Sequence, residues 1–260
     1  MALIQRRNTI RYSSCKMQRK RSRTEYARAL SVRYQKVTCS CAGSRSLDQG
    51  RLFEGDIILP GDSLGDRTAV PRDTKLWPKG IIPYVFEPRP NRQKRLIREA
   101  MEQIEAVSCL RFVNRTTERD YVYIDRNDTC GSYVGRKGGR QPLSLGLGCM
   151  QIGSVMHELL HVVGFHHEHS RSDRDEYIDV FLDNVQRGRE HNFNKMRPFE
   201  HRLLSPFDMD SIMLYGSEFF ARAPGLFTLL AKDGSRLEAV FNKKRISDSD
   251  IRRIRMLYRC

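Results

Sequence analysis

No stretch of the 260 residues approaches the ~18 consecutive apolar positions that a membrane-spanning helix needs, which excludes a membrane span as the reading of any segment. The opening Met1-Ala-Leu-Ile-Gln-Arg-Arg7 also lacks the apolar core of a secretory signal. The expectation is a leader removed before this numbering, or a true start elsewhere. Acidic residues are nearly missing from Met1 to Ser46, where twelve Lys or Arg face the single acid Glu25 and supply +11 of the formal charge of +15. Such a run can bind a polyanion, but a solvated, unstructured tail is the plainer reading, and no nucleic-acid partner is expected.

The rest of the chain is ordinary in composition, with 39% hydrophobic residues overall, enough for one substantial core. Its seven cysteines form an odd set: Cys15, Cys39 and Cys41 lie early, and Cys109, Cys130, Cys149 and Cys260 lie later. The later four fit two disulfides and an oxidising compartment. Asn114-Arg-Thr and Asn127-Asp-Thr are acceptor triplets for glycosylation, a cheap match that is as consistent with no glycan. Residues 1–50 have no sustained periodicity, and Leu59 to Thr74, with Pro60, Gly61, Gly65 and Pro71, reads as a linker. From Leu76 the pattern is globular. Ile81 to Phe86 reads as a strand, and Pro90-Asn91 opens a helix with an apolar stripe of Leu96, Ile97, Ala100, Met101, Ile104 and Val107. Strand-like runs at Leu110 to Val113 and Tyr121 to Ile124 follow, so the class is α+β. Ser247-Asp-Ser-Asp250 caps a last helix with Ile251, Ile254, Leu257 and Tyr258 inward.

The chemistry lies between Ser154 and Arg174. His157 and His161, four apart, share one helix face one turn apart and can share one ion. Glu158 can then reach an attacking water without occupying a ligand position. Gly164 can adopt the left-handed conformation that ends a helix and lets the chain double back to bring a third histidine to the same metal. The sharp turn and the need for one further ligand lean to His167, but these residues alone leave the choice between His166 and His167 open; the one not used, with His169, would be a solvent or supporting residue. Three protein ligands with one open position are the pattern of a catalytic zinc site, one Zn2+ per chain.

The run His157-Glu-Leu-Leu-His161-Val-Val-Gly164-Phe-His-His167-Glu168-His-Ser-Arg171-Ser-Asp173-Arg174-Asp resembles the extended signature of the astacin family of metzincin peptidases. Further similarities span Leu76 to Cys260. They are Trp77-Pro-Lys-Gly-Ile-Ile-Pro-Tyr, Cys109-Leu-Arg-Phe-Val-Asn-Arg-Thr-Thr, Cys130-Gly-Ser-Tyr-Val-Gly-Arg-Lys-Gly-Gly and Leu257-Tyr-Arg-Cys260. Ser211-Ile-Met213-Leu-Tyr215 is similar to the Met-turn. The resemblance implies a two-lobed zinc peptidase with a twisted, mostly antiparallel-edged sheet, an active-site helix above it, and an irregular C-terminal lobe ending in a helix.

It also implies residue roles. His157, His161 and His167 would hold zinc, Glu158 would be general base and acid, Met213 would floor the site, and Tyr215 would be a displaceable ligand that helps hold the oxyanion. Disulfides would join Cys109 to Cys260 and Cys130 to Cys149. Phe53-Glu-Gly-Asp56-Ile-Ile resembles a pro-segment motif whose aspartate occupies the open zinc position, although a turn with a solvated Asp56 is the bland alternative. A trypsin-like activator would cut after Arg67, freeing Thr68, and Glu168 would receive the new α-ammonium or else make a plain ion pair. The organisation expected is therefore a basic leader at 1–50, a pro-segment at 51–67 and a peptidase domain at 68–260. The protein would be secreted and monomeric, acting on proteins or peptides laid along the edge strand near Cys130 to Val134, without adhesion modules after Cys260. Two departures stand out: Leu214 where the family usually has His, and Gly131 where an aromatic usually follows the cysteine. Both point to altered subsite shape. The alternatives from other classes are an inactive zinc-binding scaffold and a polyanion-binding protein acting through the leader.

Overall fold

A computed structural model of the chain describes residues 52–59 and 75–260. The basic leader, Cys15, Cys39 and Cys41, nearly all of the linker and the Arg67–Thr68 bond lie outside the described residues.

Alternating apolar positions make the sheet. Strand β1 (Leu52–Phe53) turns into β2 (Ile57–Ile58), and β3 (Ile81–Phe86) follows as expected. Helix α1 (Asn91–Ala106) begins at Pro90, whose fixed φ suits the entry to a helix, and it buries Ile97, Ala100, Met101 and Ile104 on one face. Strand β4 (Arg111–Asn114) starts one residue later than the pattern suggests, with Leu110 left just before it in the core. Strands β5 (Tyr121–Asp125), β6 (Cys130–Ser132) and β7 (Arg140–Leu145) complete a seven-stranded sheet in the order β1-β2-β6-β7-β5-β3-β4. The pairs β3/β4, β3/β5 and β5/β7 are parallel, whereas β6 is antiparallel to β7. Beyond β6 the β1–β2 hairpin extends the sheet, with β2 parallel to β6 and β1 antiparallel to β2.

Helix α2 (Ile152–Val163) packs against α1 and the sheet, and its apolar side chains Val155, Met156, Leu159, Leu160, Val162 and Val163 join the main core. After it the chain is irregular. A second cluster gathers Ile178, Phe193, Phe207, Leu214, Tyr215 and Leu229, and contains the short pair β8 (Ile178–Val180) and β9 (Leu229–Ala231). Helix α3 (Asp248–Tyr258) closes the lobe. Ser247 accepts from the Asp250 N–H, and Asp250 reaches back to the Ser247 N–H, a reciprocal cap that satisfies two otherwise orphaned donors. Ile254 is fully buried and Ile251 and Tyr258 pack at the core margin, as the periodicity requires.

Two disulfides are formed, Cys109–Cys260 and Cys130–Cys149, with Cα separations of 5.6 and 5.9 Å. The first spans 151 positions and the second 19, so on the chain-entropy account they stabilise by about 5 and about 3 kcal/mol. Chemical denaturation should therefore find Cys109→Ala/Cys260→Ala more destabilised than Cys130→Ala/Cys149→Ala. The reverse order would mean that native packing, not loop closure, sets their worth.

Candidate zinc site and cleft

Helix α2 is anchored at both ends. Near its start Gly153 lies so close to the 240–243 backbone that a Cβ there would sit 2.1 Å from the Val240 carbonyl oxygen. At its end two carbonyls that have no partner inside the helix accept from outside: Val162 from the Trp77 indole at 2.8 Å, and Val163 from the Tyr258 hydroxyl at 2.7 Å. Gly164, at φ 127°, then turns the chain, its N–H shared between the Leu160 and His161 carbonyls. This is the reversal that the glycine suggests, and it brings His167 back beneath His157 and His161.

All three imidazoles are buried. The Nε2 atoms of His157 and His161 each lie 3.1 Å from Nε2 of His167. Their Nδ1 atoms face outward to fixed partners: His157 to the Ile212 carbonyl at 2.8 Å, His161 to the Phe165 carbonyl at 2.7 Å, and His167 to the Glu54 carboxylate at 2.6 Å. A carbonyl oxygen only accepts, so Nδ1 carries the proton in His157 and His161, and their Nε2 lone pairs are bare. Two bare lone pairs thus converge on the third imidazole, the place a cation would occupy. A donor set of three imidazoles oriented through their other nitrogens fits zinc.

The fourth member of the cluster is Asp56. Its Oδ2 is 3.1 Å from His157 Nε2, its Oδ1 is 3.1 Å from His167 Nε2 and 3.5 Å from His161 Nε2, and Oδ2 also accepts a short hydrogen bond from the Tyr215 hydroxyl. The same hydroxyl lies 3.1 Å from the Glu54 carbonyl oxygen. Burial pulls His161 down to about 4 against Asp56, while at His167 the Asp56 and Glu54 carboxylates overcome burial and hold the pKa up at about 9. Glu158 is buried beside the cluster with Oε2 unpartnered among the described residues, and burial followed by the Asp56 charge pushes its carboxyl well above the usual range. From Glu158 and Tyr215 a largely apolar cleft of about 720 Å³ runs past Phe219, Phe227 and Leu237.

Met213 is fully buried in the main core. The turn that carries it is held by α3: Asp250 accepts from the Ser211 hydroxyl and the Ile212 N–H, both at 2.8 Å, and Arg253 donates to Ser211 Oγ at 2.9 Å. Lys243 Nζ donates to the Ser211 and Leu214 carbonyls. Glu168 is also buried. Its carboxylate takes Arg171 at 2.9 Å, the Asp208 N–H at 3.0 Å and a short bond from Arg253, while its own N–H donates to the Met213 carbonyl at 2.9 Å. His166 and His169 stay out of the cluster, yet neither ring is solvated. His169 stacks on His167 with centroids 5.2 Å apart, and both His166 ring nitrogens are covered and unpartnered among the described residues.

The family model for Astacin, a family of peptidases, matches residues 69–259. The chain belongs to the astacin family. Astacin-like metalloprotease toxin 1 of Loxosceles intermedia is 43% identical over 219 residues, covering 82% of the chain and 83% of that protein. Tolloid-like protein 1 of Homo sapiens is 38% identical over 225 residues, 82% of the chain but 22% of that protein. Among solved structures, High choriolytic enzyme 1, a hatching enzyme zinc-protease of Oryzias latipes, superposes with a TM-score of 0.67 at 36% identity, covering 72% of the chain and 96% of that structure. The fold is thus the two-lobed astacin fold, and the protein is a zinc metalloendopeptidase.

Within this astacin fold the structure brings Asp56, His157, His161, His167, Glu158 and Tyr215 to one point. Glu54, which holds His167 Nδ1, and Asp250, which holds the turn behind His157, are the contacts that sequence reasoning misses. Glu54 sits inside the Phe53 to Ile58 motif, but there only Asp56 has a chemical reason to be singled out. Asp250 is legible as a helix cap and not as the anchor of a turn 38 residues away. It touches no imidazole, yet through Ile212 it fixes the carbonyl that orients His157. Asp250→Ala should therefore cost about 3 kcal/mol of stability and weaken zinc binding roughly tenfold or more, read by denaturation and by competition with a chromogenic chelator. Unchanged zinc affinity in a folded variant would show that the turn holds without it.

Proposed function

We propose that the chain is the latent precursor of an extracellular, monomeric endopeptidase of the astacin type, capped by Asp56 and released by a trypsin-like cut between Arg67 and Thr68. The observation that carries this is the Asp56 carboxylate, which lies within 3.5 Å of all three Nε2 atoms. A solvated turn residue would not be buried there. The two disulfides fit an oxidising compartment.

His157, His161 and His167 would hold the zinc, with Asp56 as the fourth ligand while the hairpin is in place. When bound and open, zinc lowers the pKa of water and polarises a carbonyl. The remaining steps belong to the chain. Glu158 accepts the proton of the attacking water at its carboxylate and hands it to the leaving amine. The Tyr215 hydroxyl, freed from Asp56, donates to the substrate carbonyl oxygen as charge builds on it. The substrate backbone would use the β6 edge, where the Ser132 N–H now donates to the Asp56 carbonyl at 2.9 Å. Glu158 and Tyr215 in reach of one point argue against an inactive scaffold. For Glu168 the ion-pair reading is favoured, because Arg171 and Arg253 already hold its two oxygens.

Two measurements test this reading. Glu158→Gln should retain zinc and fold while turnover falls by a factor of about 10² or more, since an amide keeps the shape but accepts no proton; comparable rates would refute the assignment. With Arg67→Ala present to prevent processing, Asp56→Ala should hydrolyse a fluorogenic peptide well above the uncut parent at equal zinc content. Equal, low rates would reduce the hairpin to a steric cover.

A further inference from the structure

His167 is gripped at both ring nitrogens by one short loop. In the β1–β2 hairpin Phe53 pairs with Ile57, so Glu54, Gly55 and Asp56 form the turn between them. Asp56 Oδ1 lies 3.1 Å from His167 Nε2, and Glu54 Oε2 lies 2.6 Å from His167 Nδ1, where it is the one hydrogen-bond partner among the described residues. Glu54 is wholly buried, and its main chain takes the left-handed φ of 51°, a conformation uncommon outside glycine, asparagine and aspartate. A plain turn needs neither that backbone nor a carboxylate at full burial, and the contact with His167 accounts for both. The three imidazoles differ in what stands behind them. His157 and His161 lean on the Ile212 and Phe165 carbonyls, which follow Arg67 in the chain, whereas the partner of His167 precedes it.

We propose that Glu54 is a positioning residue for the metal, a removable brace behind His167, so that the uncut chain holds zinc more tightly than the processed enzyme by more than the loss of Asp56 accounts for. A carboxylate behind an imidazole keeps the proton on the outer nitrogen, turns the other lone pair toward the ion and makes it a better donor. Two of the three ligands carry that orientation with them after a cut at Arg67, and His167 does not. Activation then does two things to the metal: it opens a coordination position and it slackens one ligand. The proposal rests on the latency reading only in taking the hairpin as the segment lost on activation, because the Glu54 contact needs no ligand role for Asp56.

The test follows zinc release from the full-length chain to excess chromogenic chelator, with Arg67→Ala throughout, for the parent, Glu54→Ala, Asp56→Ala and the double variant. Glu54→Ala should release zinc about tenfold faster than the parent, and the double variant about tenfold faster than Asp56→Ala, the scale on which groups behind ligating histidines act. The second comparison is decisive. If Glu54 only steadied the loop that carries Asp56, its removal would add nothing once that carboxylate is gone, so equal release by Asp56→Ala and the double variant overturns the proposal. Glu54→Gln, whose amide oxygen can accept the same N–H, should recover most of the parental rate, and release as fast as from Glu54→Ala also overturns it. Fluorogenic-peptide hydrolysis by the same zinc-loaded chains keeps the two readings apart. A silent Asp56→Ala, with Glu54→Ala still speeding release, sinks the cap and leaves the brace. A leaking Asp56→Ala whose release is untouched by Glu54→Ala sinks the brace and leaves the cap. Should Glu54→Ala fail to fold, Glu54→Met keeps the volume without the acceptor, and the same outcomes are read from it.

Discussion

The described part of the molecule is arranged around three converging imidazoles, with the Nε2 atoms of His157 and His161 each 3.1 Å from that of His167. That arrangement persists because each ring is held from behind. Ile212, Phe165 and Glu54 take the outer nitrogens, and each of the three belongs to a different piece of the chain: the Met213 turn, the reversal after Gly164, and the hairpin. A buried set of imidazoles that converge where a cation would sit is the physical content of the family signature.

The backing groups need backing of their own. Asp250, Arg253, Glu168 and Arg171 form a buried run of alternating charge joining α3, the Met213 turn and the segment after His167. Buried charge is expensive, and the cost is offset here because nearly every carboxylate oxygen also meets a guanidinium or backbone donor. The run explains how an otherwise irregular lobe, with one short two-stranded sheet, presents Tyr215 and Met213 at fixed positions. Regular structure is replaced by a fixed set of hydrogen-bonded side chains.

What can be read from the sequence follows the range over which each signal acts. The i, i+4 histidines, the glycine after the helix, the stripe on α1 and the cap of α3 are local patterns with one physical meaning each, and the structure places them as expected. The one-residue offset of β4 reflects the weak edge signal of a short strand, with Leu110 buried ahead of it. Glu54 and Asp250 act across separations of 113 and 38 residues, and their immediate neighbours give no hint of the partner. For His166 and His169 the sequence leaves solvent and support both open, because adjacency to a ligand does not say which way a side chain turns.

The order of these pieces along the chain has a meaning for biosynthesis. A ribosome delivers the hairpin with Glu54 and Asp56 before any of the three histidines, and delivers Asp250, Arg253 and Cys260 long after them. Folding from the first-made end therefore has the Asp56 carboxylate ready when the three histidines emerge, while the turn beneath His157 stays unanchored until α3 is translated. At no stage of its synthesis does the nascent polypeptide hold the three braced imidazoles without the Asp56 carboxylate made before them.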